Sequence, residues 1–268
     1  MSGLLFFEPS MWNWEPSVIA GVALLTAAYL GAIGPLRRKL LHAPKVGLAK
    51  VVWFLLGMLV ILFALVSPLD TLSDHYLFSA HMLQHLLLTL VAPPLLLLGV
   101  PAWFFQPIFR LPRLRRAAIL FTNPLLAFIL FNAVFLLWHV PAAYEAALNN
   151  ERIHLIEHLS FIATAILFWW PILNPLTDLP RLPYAAQILY LFLAAVPTTI
   201  LGALIIFAPS ILYQTYAIAP RIYNISPMND QQIAGIIMAM PAGMIYLGAL
   251  SAVFFTWLSR EEHLGAST

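Results

Sequence analysis

The sequence predicts an all-α, polytopic membrane protein, a bundle of seven transmembrane helices in one domain spanning 1–268. Three observations carry that expectation. Of the residues, 62% are hydrophobic and only 9% charged. Long apolar runs recur along the whole chain, and Lys and Arg gather in alternate connections between them.

Runs able to cross about 30 Å of hydrocarbon lie at 17–34, 51–66, 76–100, 118–140, 153–173, 187–208 and 232–258. The first lacks a basic leader and is followed by Arg37, Arg38 and Lys39, the reverse of a cleavable signal peptide, so it is expected to remain as helix one. Lys45 and Lys50 complete the connection to helix two, and Arg110, Arg113, Arg115 and Arg116 lie between helices three and four. Basic residues in short loops stay cytoplasmic. With Arg181 and Arg260 added, eleven of the thirteen basic residues share that side, leaving Arg152 and Arg221 opposite. The N-terminus is therefore expected outside and the C-terminus inside, in a bacterial cytoplasmic membrane.

Helix three is expected to begin near Asp74, helix four to end at Trp138-His139-Val140-Pro141, and helix five to enter from the same side as helix three. The longest stretch without a spanning run, 209–230, separates helices six and seven. Within it, 211–217 is expected to lie as a short interfacial helix with Tyr213 and Tyr216 at headgroup level. Pro93, Pro94, Pro171, Pro197 and Pro241 are expected to kink or end helices, which opens space inside a bundle.

The composition also excludes chemistry. A net charge of +2 with basic loops beside membrane spans points to anionic lipid headgroups, not nucleic acid. There is no cysteine, so disulfides and thiolate metal sites are ruled out. Any metal must be held by His, Met, Asp or Glu.

Histidine is where such a site is legible. Threading places His75, His81, His85, His139, His154 and His158 at one end of the spans, and imidazoles sharing a depth near hydrocarbon mark a ligand, a proton path or a polar cavity. His81-Met-Leu-Gln84-His85 and His154-Leu-Ile-Glu157-His158 are i, i+4 pairs, each stacking two rings on one helical face. The members of each pair differ in depth by about 6 Å. His139 arrives at the same boundary from helix four. We expect a metal at His81, His85, His139, His154 and His158, with Asp70, Asp74, Glu151, Glu157, Met228 and Asp230 as additional ligands or groups that orient the imidazoles. This donor set suits copper, with zinc or haem iron as alternatives. His75 reads as a solvated residue near a helix cap, and His42 and His263 as solvated on the cytoplasmic side. Met82, Met238, Met240 and Met244 read as packing.

Ser67-Pro-Leu-Asp70, His81-Met-Leu-Gln-His85, Trp138-His139 with Pro141, the His154 and His158 pair, Trp170-Pro171 and Asp230-Gln-Gln-Ile-Ala-Gly235 together resemble the CtaG family of cytochrome c oxidase assembly factors, the polytopic kind found with caa-type oxidases. The resemblance spans helices two to seven. It implies a respiratory-chain role in maturing the oxidase, by passing copper from an extracytoplasmic donor to oxidase subunits without turnover chemistry. A cysteine-containing assembly factor that shares the CtaG name is not similar to this chain. Two alternatives stand beside this one: a seven-helix zinc hydrolase of lipid amides, with Asp70, Asp74, Glu157 or Asp230 as base and Ser73 or Ser79 supporting an oxyanion, and a haem-binding electron-transfer protein.

Overall fold

A computed structural model describes residues 9–37, 43–105, 110–176 and 181–265. His42 lies outside the described residues, as does the side chain of His263. Among those described, the regular structure is helical throughout. Six helices are long and apolar enough to cross a membrane, and a bent pair makes a seventh span when counted as one.

The spans begin with α1 (Pro16–Ile33) and α2 (Leu48–Val66), followed by a short helix, α3 (Pro68–His75). Ser67 starts α3 by accepting from the Leu69 amide, with Pro68 at the first helical position. The third span is α4 (Phe78–Leu86), continued through a π-helical segment (Leu87–Val91) into α5 (Ala92–Gly99). Pro93 has no amide to offer the carbonyl of Thr89, and the Trp169 indole donates to that carbonyl instead, at 3.1 Å. The kink foreseen from the prolines is therefore a widened turn whose freed acceptor is satisfied from a neighbouring helix.

The run at 118–140 is not one straight helix. It divides into α6 (Pro112–Phe121) and α7 (Pro124–Trp138), bent by 68°. Asn123 starts α7 afresh, accepting from the amides of Leu125 and Leu126 ahead of Pro124. Pro124 disfavours a helical Asn123, so hydrophobicity alone does not carry the helix across. A short α8 (Pro141–Leu148) follows, then α9 (Glu151–Leu173), α10 (Tyr184–Ile206), the five-residue α11 (Gln214–Ile218) and α12 (Pro227–Gly265).

Helices α10 and α12 meet at Gly202 and Gly235. A Cβ on either would stand 2.7 Å from the other's carbonyl oxygen, so only glycine permits this approach. Many large apolar side chains remain exposed along the spans, Leu59, Phe192, Leu204, Met244 and Phe255 among them, as lipid-facing positions require. Among the described residues, two of the five apolar clusters in the interior bear on the site. One, around Phe168, Trp169, Tyr190 and Tyr246, occupies the half toward the end of α9. The other, around Phe78, Phe135, Phe161 and Met238, encloses the histidines.

Asp70 knits α3 to its surroundings, accepting from Asn13 at 2.6 Å and from Gln84 at 2.7 Å. Burial, and then the Asp74 carboxylate, push Asp70 up to about 6. A carboxyl raised on folding contributes stability that is complete at low pH and is lost as pH rises through that value. Relative to Asp70→Asn, which has no such titration, the wild type should therefore gain about 1 kcal/mol of unfolding free energy between about pH 7.5 and about pH 5. Unfolding of both proteins in one detergent measures this, and a gap that does not change with pH would refute it.

Candidate metal centre

The starts of α4 and α9, the end of α7 and the connection carrying α11 converge at one end of the bundle. What aligns α4 is Asp230, in the first turn of α12. Its carboxylate accepts from the amides of Phe78 at 2.7 Å and Ser79 at 3.1 Å, and from the Ser79 hydroxyl. It thus serves as an N-cap supplied from another helix, with charge-assisted bonds to the unpaired amides of a buried helix start. Gln84, between the two histidines of α4, donates to Asp70 and to the Ala64 carbonyl at 2.9 Å, which locks the helix in rotation.

His81 is fully buried. Its Nδ1 lies 2.8 Å from the Tyr216 hydroxyl, which itself donates to the Ser73 carbonyl at 2.6 Å. A phenol has one proton, so Nδ1–H of His81 is the donor to Tyr216 and its Nε2 carries the lone pair. That Nε2 lies 2.8 Å from Nε2 of His85. One of the two must be protonated, so His85 donates from Nε2, and its Nδ1 carries a lone pair with no partner. Nδ1–H of His139 donates to the Phe135 carbonyl at 2.7 Å, which likewise leaves its Nε2 as an unpartnered acceptor.

From α9, Glu157 is fully buried and neither carboxylate oxygen has a hydrogen-bond partner. One oxygen lies 3.6 Å from Nε2 of His85 and the other 4.0 Å from Nε2 of His154. The rings of His154 and His158 are 4.2 Å apart, and those of His85 and His158 5.6 Å. Nitrogens of His154 and His158 are also buried without partners. Two sets of donor atoms lie within 4.8 Å of one another: His81, His85 and His158, and His81, His154 and Glu157. Buried polar atoms in folded proteins nearly always find partners. A carboxylate and several imidazoles left unsatisfied around one point are what a bound cation would satisfy.

The model of the cytochrome c oxidase caa3 assembly factors (Caa3_CtaG) matches residues 27–260. The chain belongs to this family. It is also similar to uncharacterised proteins of Mycobacterium bovis and Mycobacterium tuberculosis, each 24% identical over a 198-residue match that covers 68% of this chain and 29% of theirs. The chain thus spans less than a third of the length of the curated relatives it matches. No solved structure matches it.

In this Caa3_CtaG member the expected residues do not all come together. His81, His85, His154, His158 and Glu157 come together, with His139 beside them, its ring 6.2 Å from that of His85. Asp74 stands at the edge, 3.7 Å from Nδ1 of His154, where it can orient that ring. Asp70 and Asp230 are engaged in holding helices. Glu151 is exposed at the start of α9, and Met228 is half-buried in the first turn of α12. His75 is exposed, as expected.

Tyr213 and Tyr216 differ from expectation. A helix does form nearby, at Gln214–Ile218, but neither tyrosine faces lipid headgroups. They are 1% and 2% exposed, and Tyr213 donates to the His139 carbonyl at 2.9 Å. The connection folds inward because Gln231 holds it, accepting from the Leu212 amide and donating to the carbonyls of Ile205 and Ser210. Together with Tyr144, whose hydroxyl lies 3.1 Å from that of Tyr216, these rings form the wall behind the histidines. No spacing rule marks Tyr144 or Tyr216. The amides of Gln231 and Gln84 were the available signal, since a glutamine beside hydrocarbon needs partners.

Proposed function

We propose that this oxidase assembly factor binds copper through its histidine cluster and helps deliver it to cytochrome c oxidase. The observation that carries the reading is Glu157, a fully buried carboxylate without hydrogen bonds among unpartnered imidazole nitrogens. A buried carboxyl among neutral imidazoles can give up its proton to a bound cation and offset part of its charge, and nitrogen-rich sites favour copper over the other divalent first-row ions. His81, His85, His154, His158 and Glu157 are the ligand candidates, with His139 adjacent.

Segregation of the basic residues supports a single transmembrane domain with its N-terminus outside and its C-terminus in the cytoplasm of a bacterium, so that the histidines lie toward the outer face. Copper would then arrive from an extracytoplasmic donor and leave to an oxidase subunit by stepwise ligand replacement, with no bond made or broken beyond coordination. The zinc-hydrolase reading has less support. The Ser79 hydroxyl is committed to Asp230, and Asp70 and Asp230 are held by structural hydrogen bonds.

Glu157→Gln tests the charge argument. Without metal, this variant should unfold at a higher temperature than the wild type, because an uncompensated buried carboxylate costs about 2 kcal/mol or more. With copper, the wild type should gain stability through binding and the variant distinctly less. A wild type that copper does not stabilise, or a Glu157→Gln protein that it stabilises equally, would refute the reading.

A further inference from the structure

Next to the histidine cluster, deeper in the bundle, lies a cavity of about 30 Å³. His85 and His139 line it, and so do Met82 from α4 and Met238 from α12. The remaining wall is mostly apolar, including Phe131, Phe135 and Phe161. Among the described residues, no acidic or basic side chain other than imidazole borders it. Met82 and Met238 are themselves buried, at 2% and 6% exposure.

The hydrogen bonds settle what the two histidines have to offer here. His139 spends its proton on the Phe135 carbonyl and His85 spends its proton on His81, so each retains one buried lone pair without a partner. Two bare imidazole lone pairs and two thioethers share the wall with one unpartnered donor, the Tyr246 hydroxyl, while the Thr89 and Thr198 hydroxyls are spent on the carbonyls of His85 and Ala195. A hard ion such as Mg²⁺ or Ca²⁺ requires oxygen ligands and sheds its water reluctantly. Thioether and imidazole in an apolar wall are the surroundings that a soft, singly charged ion tolerates, and Cu(I) is the biological ion of that kind.

We propose that Met82, Met238 and His139 form a second, inner Cu(I) site, distinct from the outer group of His81, His154, His158 and Glu157, with His85 shared between the two. A neutral imidazole has one lone pair, so His85 serves one site at a time. An ion moving inward exchanges Nε2 of this ring for Nδ1, and the ring's single proton passes the opposite way, from Nδ1 to Nε2, where the Nε2 lone pair of His81 accepts from it. The outer site, with its carboxylate, accommodates Cu(II) as well as Cu(I), whereas the inner one, uncharged and sulfur-bearing, accepts Cu(I) alone.

This inference rests on the copper reading above, and the following experiment separates them. Selenomethionine-labelled full-length protein in detergent is loaded anaerobically with Cu(I), and X-ray absorption at the selenium edge is recorded alongside copper stoichiometry. The expected result is a selenium–copper contact near the length of a metal–sulfur bond, about 2.3 to 2.5 Å, and two copper ions per chain. In Met82→Leu/Met238→Leu, a near-isosteric change, the contact should vanish and copper should fall by half. In His81→Ala/His158→Ala the contact should persist. No contact in the wild type, or one that survives the methionine substitutions, overturns the inner site. If copper still binds in either case, the outer site stands, whereas no copper in the wild type overturns both.

Discussion

Offered Cu(II), the wild-type protein should bind it near-stoichiometrically, and His81→Ala/His158→Ala should retain less than about a tenth as much. The size of the effect follows from the geometry. Both groups of donor atoms that can surround one ion contain His81, and one of them also contains His158. After the double substitution neither group has three donors left. The measurement is metal analysis of the purified protein with its paramagnetic resonance spectrum, which should show nitrogen couplings in the wild type alone. Thermal unfolding without copper checks that the variant folds. Cu(II) still bound at wild-type level to a folded double variant would refute the assignment. An intense Soret absorption in the wild type would redirect it to haem, and resident zinc with cleavage of lipid amides would redirect it to a hydrolase.

Asp230→Ala should be the most damaging substitution outside the cluster. It removes the acceptor for two amides and a hydroxyl at a buried helix start, at a cost of about 2–4 kcal/mol. Because α4 carries His81 and His85, the same change should also loosen the outer site, weakening copper binding by about tenfold or more. Asp230→Asn keeps one carbonyl oxygen as acceptor and should recover part of both losses. Unfolding in detergent gives the first quantity and competition with a copper chelator the second. Wild-type stability and affinity in Asp230→Ala would show that the contact across 151 and 152 residues of sequence is inert. Full stability with copper binding alone lost would instead make Asp230 a ligand.

How much of this was legible beforehand differs by kind of residue. The two i, i+4 histidine pairs were readable because helical periodicity sets which side chains share a face, and the charge bias of the loops put both pairs at one end. Glu157 was readable as a neighbour of a pair, but its lack of hydrogen bonds, the strongest argument for a cation, was not. The roles of Asp70 and Asp230 depend on partners far away in the sequence, so no local pattern distinguishes a ligand from a brace. Met82 and Met238 read as packing residues for the same reason, since their cavity is formed by several helices at once.

By itself, the sequence determined that this protein is helical, which runs are apolar enough to cross a membrane, and which end of the bundle gathers the imidazoles. Apolar runs must bury their backbone hydrogen bonds within helices, and basic residues resist transfer across the membrane. Tertiary structure alone decided that Asn123 and Pro124 divide the fourth span, that Tyr144, Tyr213 and Tyr216 wall the site instead of facing lipid, and that His85 and His139 each keep one nitrogen without a partner. Each of those outcomes depends on where a carbonyl, an amide or a hydroxyl from a distant segment finds its partner, and such partners are chosen only once the helices have packed.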